Sequence, residues 1–318
     1  MGKSNIEWTD ETDNIITVEG GGWWCRKCSE GCDNCYAEGV NDMNYFHGNH
    51  RPYSGAAPQL KLKTDIIDGW ARQRRPRRHF VASMTDVFGE WVIQEWINRF
   101  LDGMAAAPLQ TFQVLTKRAR RMRETVKVWL ELRGFDRVPP NIQLGVSVEN
   151  QKWADIRIDD LIQIPSIRFL SCEPLIGALS LDKWLKPESF HFNGDKSALD
   201  DPQFATAFGK MISSVAGRYS GIDWVIVGGE SGPKARPMHS DWARSLRDQC
   251  QAAGVPFMFK QWGSHIEVPA IQKKGDFGFS CTEGTFRTCV FRKINKKVAG
   301  RVLDGRTWDE FPREVKAA

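Results

Sequence analysis

The sequence predicts an α/β fold, a partial parallel (βα)6-type TIM-like barrel with a small C-terminal appendage. Three observations carry that expectation. Short apolar runs alternate with stretches of helical periodicity. Nearly every apolar run ends on polar side chains. Hydrophobic residues make up 41% and charged residues 26% of 318 positions, enough to bury a sizeable core. In a parallel βα barrel the functional groups gather at the carboxyl ends of the strands, so the polar run ends bear on function as well as on fold.

Strands are expected at Phe80 to Thr85, Thr111 to Thr116, Ile142 to Val148, Ile167 to Cys172, Trp224 to Val227 and Pro256 to Phe259, with an earlier one at Ile15 to Val18. Helices are expected between them: Trp91 to Ala106, where Trp91, Trp96, Phe100 and Met104 recur at near-helical spacing, then Arg118 to Leu132, Trp153 to Leu161 and Asp241 to Ala253. Ser240 reads as the cap that starts the last helix and Gly254 as its left-handed end. Residues 176–221 read as a polar insertion and a possible lid, broken by Pro187, Asn193-Gly194-Asp195 and Pro202. The barrel is expected to span 1–263. The extension 264–318 carries short strand-like pieces at Phe286 to Ile294 and Val298 to Leu303.

Lys and Arg number 44 against 39 Asp and Glu, a net charge of +5 that permits an anionic partner without requiring one. No apolar run approaches the roughly 18 residues that span a bilayer. The polar, acidic start from Met1 to Asn14 does not read as a signal peptide, and Ile6 stands where a myristoylation site wants Ser or Thr. The expectation is a cytoplasmic protein with no membrane partner, in the host cytoplasm if phage-encoded.

Four of the eight cysteines, Cys25, Cys28, Cys32 and Cys35, fall within eleven residues. One dense group in a long chain points to metal ligation rather than to a disulfide framework. Zinc ribbons usually separate two C-x2-C pairs by a dozen residues or more, whereas three separate them here. Such a spacer suits a loop wrapped around a [4Fe-4S] cubane, and Cys28-x3-Cys32-x2-Cys35 leaves a fourth iron without protein sulfur. An iron with free positions can chelate the amino and carboxylate groups of S-adenosylmethionine. A structural zinc knuckle using all four thiolates is the alternative.

The C-x3-C-x2-C spacing resembles the radical S-adenosylmethionine superfamily. Asn34 departs from it, because many members carry an aromatic residue before the last cysteine, while here Tyr36 follows it. The likeness extends to a phage and bacterial three-cysteine-motif family through Gly31-Cys32-Asp33-Asn34-Cys35-Tyr36-Ala37, Ser83-Met84-Thr85-Asp86-Val87-Phe88-Gly89-Glu90-Trp91, Leu115-Thr116-Lys117-Arg118, Gly145-Val146-Ser147-Val148-Glu149-Asn150, Ser171-Cys172-Glu173-Pro174-Leu175, Val227-Gly228-Gly229-Glu230-Ser231-Gly232 and Phe259-Lys260-Gln261-Trp262-Gly263. That family's C-x6-C-x2-C spacing selects Cys25 as the first ligand where the superfamily's selects Cys28. Both stay open.

The resemblance implies a [4Fe-4S] cluster, S-adenosylmethionine and an external one-electron reductant. Asp86, Glu173 and Glu230, with Ser147 and Glu149 behind them, suit the ribose hydroxyls and amino group of bound adenosylmethionine. Lys117 and Lys260 suit its carboxylate or an anionic substrate. Gly-rich turns such as Gly228-Gly229 let backbone approach a ligand closely. The basic runs Arg72 to Arg78 and Lys117 to Arg123 could follow a phosphate backbone of DNA or a nucleotide. His47, His50, His79 and His239 show no metal-ligand spacing. The phage setting suggests rearrangement of a modified thymine base. A pyrimidine photoproduct repair lyase and a non-catalytic zinc-stabilised nucleic-acid-binding module are the rivals.

Overall fold

Six of the expected strands form, and they lie side by side. The computed structural model describes residues 2–43, 53–185, 221–279 and 289–312. In chain order the strands are β1 (Gly2–Lys3), β2 (Glu11–Asp13), β3 (Ile16–Val18), β4 (Leu60–Leu62), β5 (Arg78–Val81), β6 (Thr111–Thr116), β7 (Ile142–Ser147), β8 (Ile167–Cys172), β9 (Trp224–Gly228) and β10 (Phe257–Gln261). Three more follow: β11 (His265–Val268), β12 (Phe277–Phe279) and β13 (Cys289–Lys293). The helices are α1 (Tyr36–Met43), α2 (Thr64–Trp70), α3 (Gln94–Ala105), α4 (Ala119–Arg133), α5 (Gln151–Leu161), α6 (Asp182–Leu185), α7 (Ser240–Ala253) and α8 (Lys296–Ala299). Among the described residues, no helix is long and apolar enough to cross a membrane.

The fold is mixed α/β around an eight-stranded sheet of order β1-β2-β5-β6-β7-β8-β9-β10. Every neighbouring pair is parallel except β1 with β2. Alternation along the strands divides the sheet into two faces. Leu170, Val225, Val227, Phe257 and Phe259 face the helices in the main core, while Phe169, Trp224, Ile226 and Met258 face the other side, where they meet Trp8 and Phe80. The Trp8 ring lies 4.6 Å from Phe80 on β5 and 6.4 Å from Trp224 on β9. Four strand spacings in a flat sheet would separate β5 from β9 by about 19 Å. The sheet is therefore curled around Trp8, yet among the described strands β1 and β10 do not pair, and no closed barrel forms.

Several expectations are corrected. The first parallel strand after β1 is Glu11–Asp13; Ile16–Val18 instead pairs with Leu60–Leu62 in a separate two-stranded sheet. The strand expected to reach Thr85 stops at Val81, because Ala82 turns the backbone to φ 62° and aims Ser83 to Asp86 across the strand end. The helix expected from Trp91 begins at Gln94. The cap of α7 is His239, whose ring accepts from Asp241 N–H, with Ser240 inside the helix; Gly254 does close it, at φ 69°. Lys296–Ala299 is a helical turn where a strand was expected from Val298.

Most of the expected insertion, with Pro187, Asn193-Gly194-Asp195 and Pro202, lies outside the described residues, as do His47, His50 and the start of the piece at Phe286. The described beginning of that insertion is core rather than polar cover, since Leu179, Leu181 and Trp184 are buried. The extension forms the antiparallel sheet β11-β13-β12 and then runs back along β10, where Phe259 N–H donates to Trp308 C=O at 3.0 Å. That return covers a sheet edge that would otherwise present unpaired backbone.

Candidate functional site

The parallel strands β5 to β10 bring their carboxyl ends to the cysteine segment. A cavity of about 360 Å3 lies between them, at the lower end of the range for small-molecule sites. Its floor includes Phe80 and Leu115 from the inner sheet face and Trp8 packed against that face, and its wall includes Cys25, Cys28, Cys32 and Cys35. Of the strand-end candidates, Asp86, Lys117, Ser147, Glu173, Glu230 and Lys260 line it. Glu149 does not. It is fully buried beneath the cysteine segment, where it accepts from Ser29 Oγ at 2.6 Å, from Arg157 Nη1 at 2.7 Å and from Lys117 Nζ.

Strand-end side chains tie the cysteine segment down along its length. Thr85 Oγ1 donates to Trp24 C=O at 2.6 Å, Arg118 Nη2 to Arg26 C=O at 3.0 Å and Arg236 Nη2 to Glu30 C=O at 2.8 Å. Tyr36 O–H donates to Ser83 C=O at 2.9 Å. Asn34, the departure from the superfamily pattern, donates its amide to Glu230 Oε2 at 3.0 Å and to Lys234 C=O at 2.9 Å. A phenyl ring there could make neither bond.

The four thiols occupy unlike surroundings. Burial pushes Cys25 up to about 12 and also raises Cys35. Cys28 hydrogen-bonds to Cys32, which raises Cys28 and, with help from the Lys117 charge, lowers Cys32 to about 5. Sulfurs held about 2.3 Å from a single tetrahedral zinc would lie about 3.8 Å apart. Among the described residues, no three of the loop sulfurs lie within 4.8 Å of one another; the trio that does come so close is Glu11, Asp13 and His79. Four thiols gathered on one segment are a donor set that suits soft metal chemistry, an iron-sulfur cluster or a zinc ion. The trio lies apart from the cavity. His79 Nδ1 is 2.8 Å from Asp13 Oδ2, its Nε2 is 3.3 Å from Gln110 Oε1, and its ring stacks on Phe112 in the helix-side core.

The expected cationic contacts are already engaged. Lys117 pairs with Glu149, and Lys260 Nζ lies 2.9 and 2.7 Å from the Glu173 oxygens. Burial opposes ionisation of Glu173, yet Lys260 and Gln261 hold its carboxyl below the usual range; Arg236 and Asn34 do the same for buried Glu230. Sequence reasoning missed two cations in the wall, Arg26 and Lys296. Among the described residues neither pairs directly with a carboxylate: Arg26 donates to Gly55 C=O at 3.3 Å and lies over the Trp24 ring, and Lys296, from the extension, acts on Glu173 only through its charge. A Cβ on Gly229 would lie 2.1 Å from Trp262 C=O, so this glycine allows the crossing of the β9 and β10 ends.

The basic runs divide between the two ends of the sheet. Arg72 to Arg78 leads into the amino end of β5, where Arg78 pairs with Asp10 and covers the Phe311 ring, far from the cavity. In the second run Arg118, Arg120 and Arg123 pair with Asp86, Glu124 and Asp160.

No curated protein matches the chain. Two solved structures align over 89% of it and 68% of their own length, at 9% identity and a TM-score of 0.36: spore photoproduct lyase complexed with dinucleoside spore photoproduct, and a cysteine-to-alanine mutant of that enzyme with the same ligand. The model of the family described as "Protein of unknown function (DUF5131)" matches residues 3–312, nearly the whole length, and the chain belongs to that family.

Proposed function

We propose that this is a radical S-adenosylmethionine enzyme. The observation that carries the reading is convergence: four cysteines and the polar ends of six parallel strands meet at one cavity. Cys32 and Cys35, with Cys25 or Cys28, would hold three irons of a [4Fe-4S] cluster. When bound and reduced by an external one-electron donor, such a cluster supplies an electron to S-adenosylmethionine, giving methionine and a 5′-deoxyadenosyl radical that removes hydrogen from an unreactive carbon.

The chain's own residues orient and shield. Glu149, Arg236, Thr85 and Asn34 fix the cysteine segment against the strand ends. Trp8, Phe80 and Leu115 close the cavity floor with apolar surface and keep water from it. The hydroxyls of Ser147 and Ser171 and the carboxylates of Glu173 and Glu230 face inward and suit the ribose and amino groups of adenosylmethionine. Arg26 and Lys296 are the wall cations left for an anionic group. They favour a nucleotide-type substrate, which we take to be a modified thymine base of phage DNA whose amino-acid substituent is rearranged.

Anaerobic protein incubated with adenosylmethionine, dithionite and DNA carrying deuterated thymine derivatives tests this by mass spectrometry. Deuterium in 5′-deoxyadenosine with an isomeric base supports the proposal. Bond cleavage in a pyrimidine photoproduct instead selects the lyase alternative, and no 5′-deoxyadenosine under any condition rejects both.

A further inference from the structure

The side of the cysteine segment that carries both candidate first ligands faces one buried charge pair. Arg118 Nη1 lies 3.0 Å from Asp86 Oδ2 and 3.8 Å from Cys28 Sγ, and Nη2 holds Arg26 C=O, the carbonyl next to Cys25. The guanidinium lies over Trp91 at 4.6 Å, and Trp91 in turn meets the Trp24 ring edge-on at 4.8 Å. Nε reaches both Glu90 oxygens at 3.1 Å. Both Asp86 and Arg118 side chains are only 8% exposed.

Asp86 has no capacity left for a ligand of its own. Its Oδ1 accepts from Phe88 N–H at 3.0 Å and Thr116 Oγ1 at 2.7 Å, and its Oδ2 from Lys117 N–H at 3.1 Å and Arg118. Four donors saturate a carboxylate. Its charge nevertheless acts beside the sulfurs: Asp86 Oδ2 lies 3.0 Å from the same guanidinium nitrogen that stands 3.8 Å from Cys28 Sγ.

We propose that Arg118 and Asp86 are positioning residues that fix the first cluster ligand, whether Cys25 or Cys28, and set the reduction potential of the cluster from opposite sides. The proposal rests on the iron-sulfur reading above. Reduction adds one negative charge, which a neighbouring guanidinium stabilises and a neighbouring carboxylate opposes, and both act strongly where water is excluded. Arg118 thus favours the reduced cluster, and Asp86 keeps it from being reduced too readily.

The test is an EPR-monitored redox titration of the full chain reconstituted under anaerobic conditions, with iron content measured in parallel. Arg118→Gln is expected to lower the midpoint potential, Asp86→Asn to raise it, and Arg118→Lys to stay near wild type because the charge remains. Opposite shifts from the two neutralising variants would not arise from a merely structural role. Shifts of the same sign, or no shift at wild-type iron content, overturn the proposal. Iron loss in all three variants overturns the tuning claim and leaves only a structural tie. If Arg118→Gln alone loses iron, Asp86→Asn and Arg118→Lys still decide the sign. A wild-type chain that binds no iron is a separate outcome, and it removes the iron-sulfur reading itself.

Discussion

The Glu149 carboxylate occupies the space that a side chain at residue 31 would need. A Cβ on Gly31 would lie 2.4 Å from Glu149 Oε1 and 2.5 Å from its Cγ. The glycine sits in the short turn Glu30–Cys32, and the glutamate beneath it is locked by Arg157, Lys117 and Ser29. Neither partner can give way easily. Gly31→Ala is therefore expected to cost about 1–3 kcal/mol, the usual penalty of overpacking, and to lower the iron bound on reconstitution. Urea unfolding and iron assay check both. An alanine variant with unchanged iron content would separate this packing from the metal site.

The carboxylates around the cavity give stability a direction with pH. Glu149, Glu173 and Glu230 all have folded values below their ordinary 4.5, since in each case neighbouring cations outweigh burial. A depressed folded value contributes stability that is fully present above the unfolded value and is lost as pH falls through the folded one. Unfolding free energy should stay level near neutral pH and decline as pH drops below about 4.5. Glu149→Gln should weaken that decline while lowering stability at neutral pH by about 3–5 kcal/mol, because Lys117 and Arg157 lose their shared partner. Stability that grows on acidification would contradict the pairing.

Cys32 is expected to be a thiolate at neutral pH in metal-free protein. The hydrogen bond from Cys28 and the Lys117 charge bring it below the ordinary thiol range. Thiolate absorbance in the ultraviolet, followed against pH, should show one titration earlier than those of the other cysteines. It should vanish in Cys32→Ser and move upward in Cys28→Ala. The early step surviving in Cys32→Ser would assign it to another cysteine.

Trp8 holds the curled sheet from inside. It contacts Phe80, Phe169 and Trp224, on three different strands. Trp8→Ala should cost about 3–5 kcal/mol, as for other buried tryptophans, and should raise water access to the cavity whose floor it forms. Denaturant unfolding and hydrogen exchange at β5 and β9 measure the two effects. Destabilisation without faster exchange there would mean that the sheet keeps its curl unaided.

How much of this could be read from the chain depends on whether neighbours in sequence or neighbours in space decide each feature. The strands from Thr111 to Phe259 were legible because each is an apolar run ending in polar residues, and the sheet pairs them consecutively. The gathering of the four cysteines was legible because they are neighbours in sequence. Ile16–Val18 misled because three apolar-alternating residues suit a two-stranded ribbon as well as a central strand, and only the partner, Leu60–Leu62, decides. Lys117 and Lys260 were expected to meet a cofactor carboxylate or an anionic substrate; their carboxylate partners in the fold lie 32 and 87 residues away, and no local pattern announces them. Lys296 was hidden for the same reason. Its position follows from the return of the extension across the β10 edge, which is a tertiary event.

The account stands on the cysteine segment holding an iron-sulfur cubane with one iron open to adenosylmethionine. The direct measurement is iron, sulfide and zinc analysis of anaerobically reconstituted protein, joined to EPR of the reduced sample before and after adding S-adenosylmethionine. The account predicts about four irons and four sulfides per chain and a cluster signal that changes when the sulfonium compound binds. One zinc per chain with no acid-labile sulfide, or a cluster signal indifferent to adenosylmethionine, would contradict it.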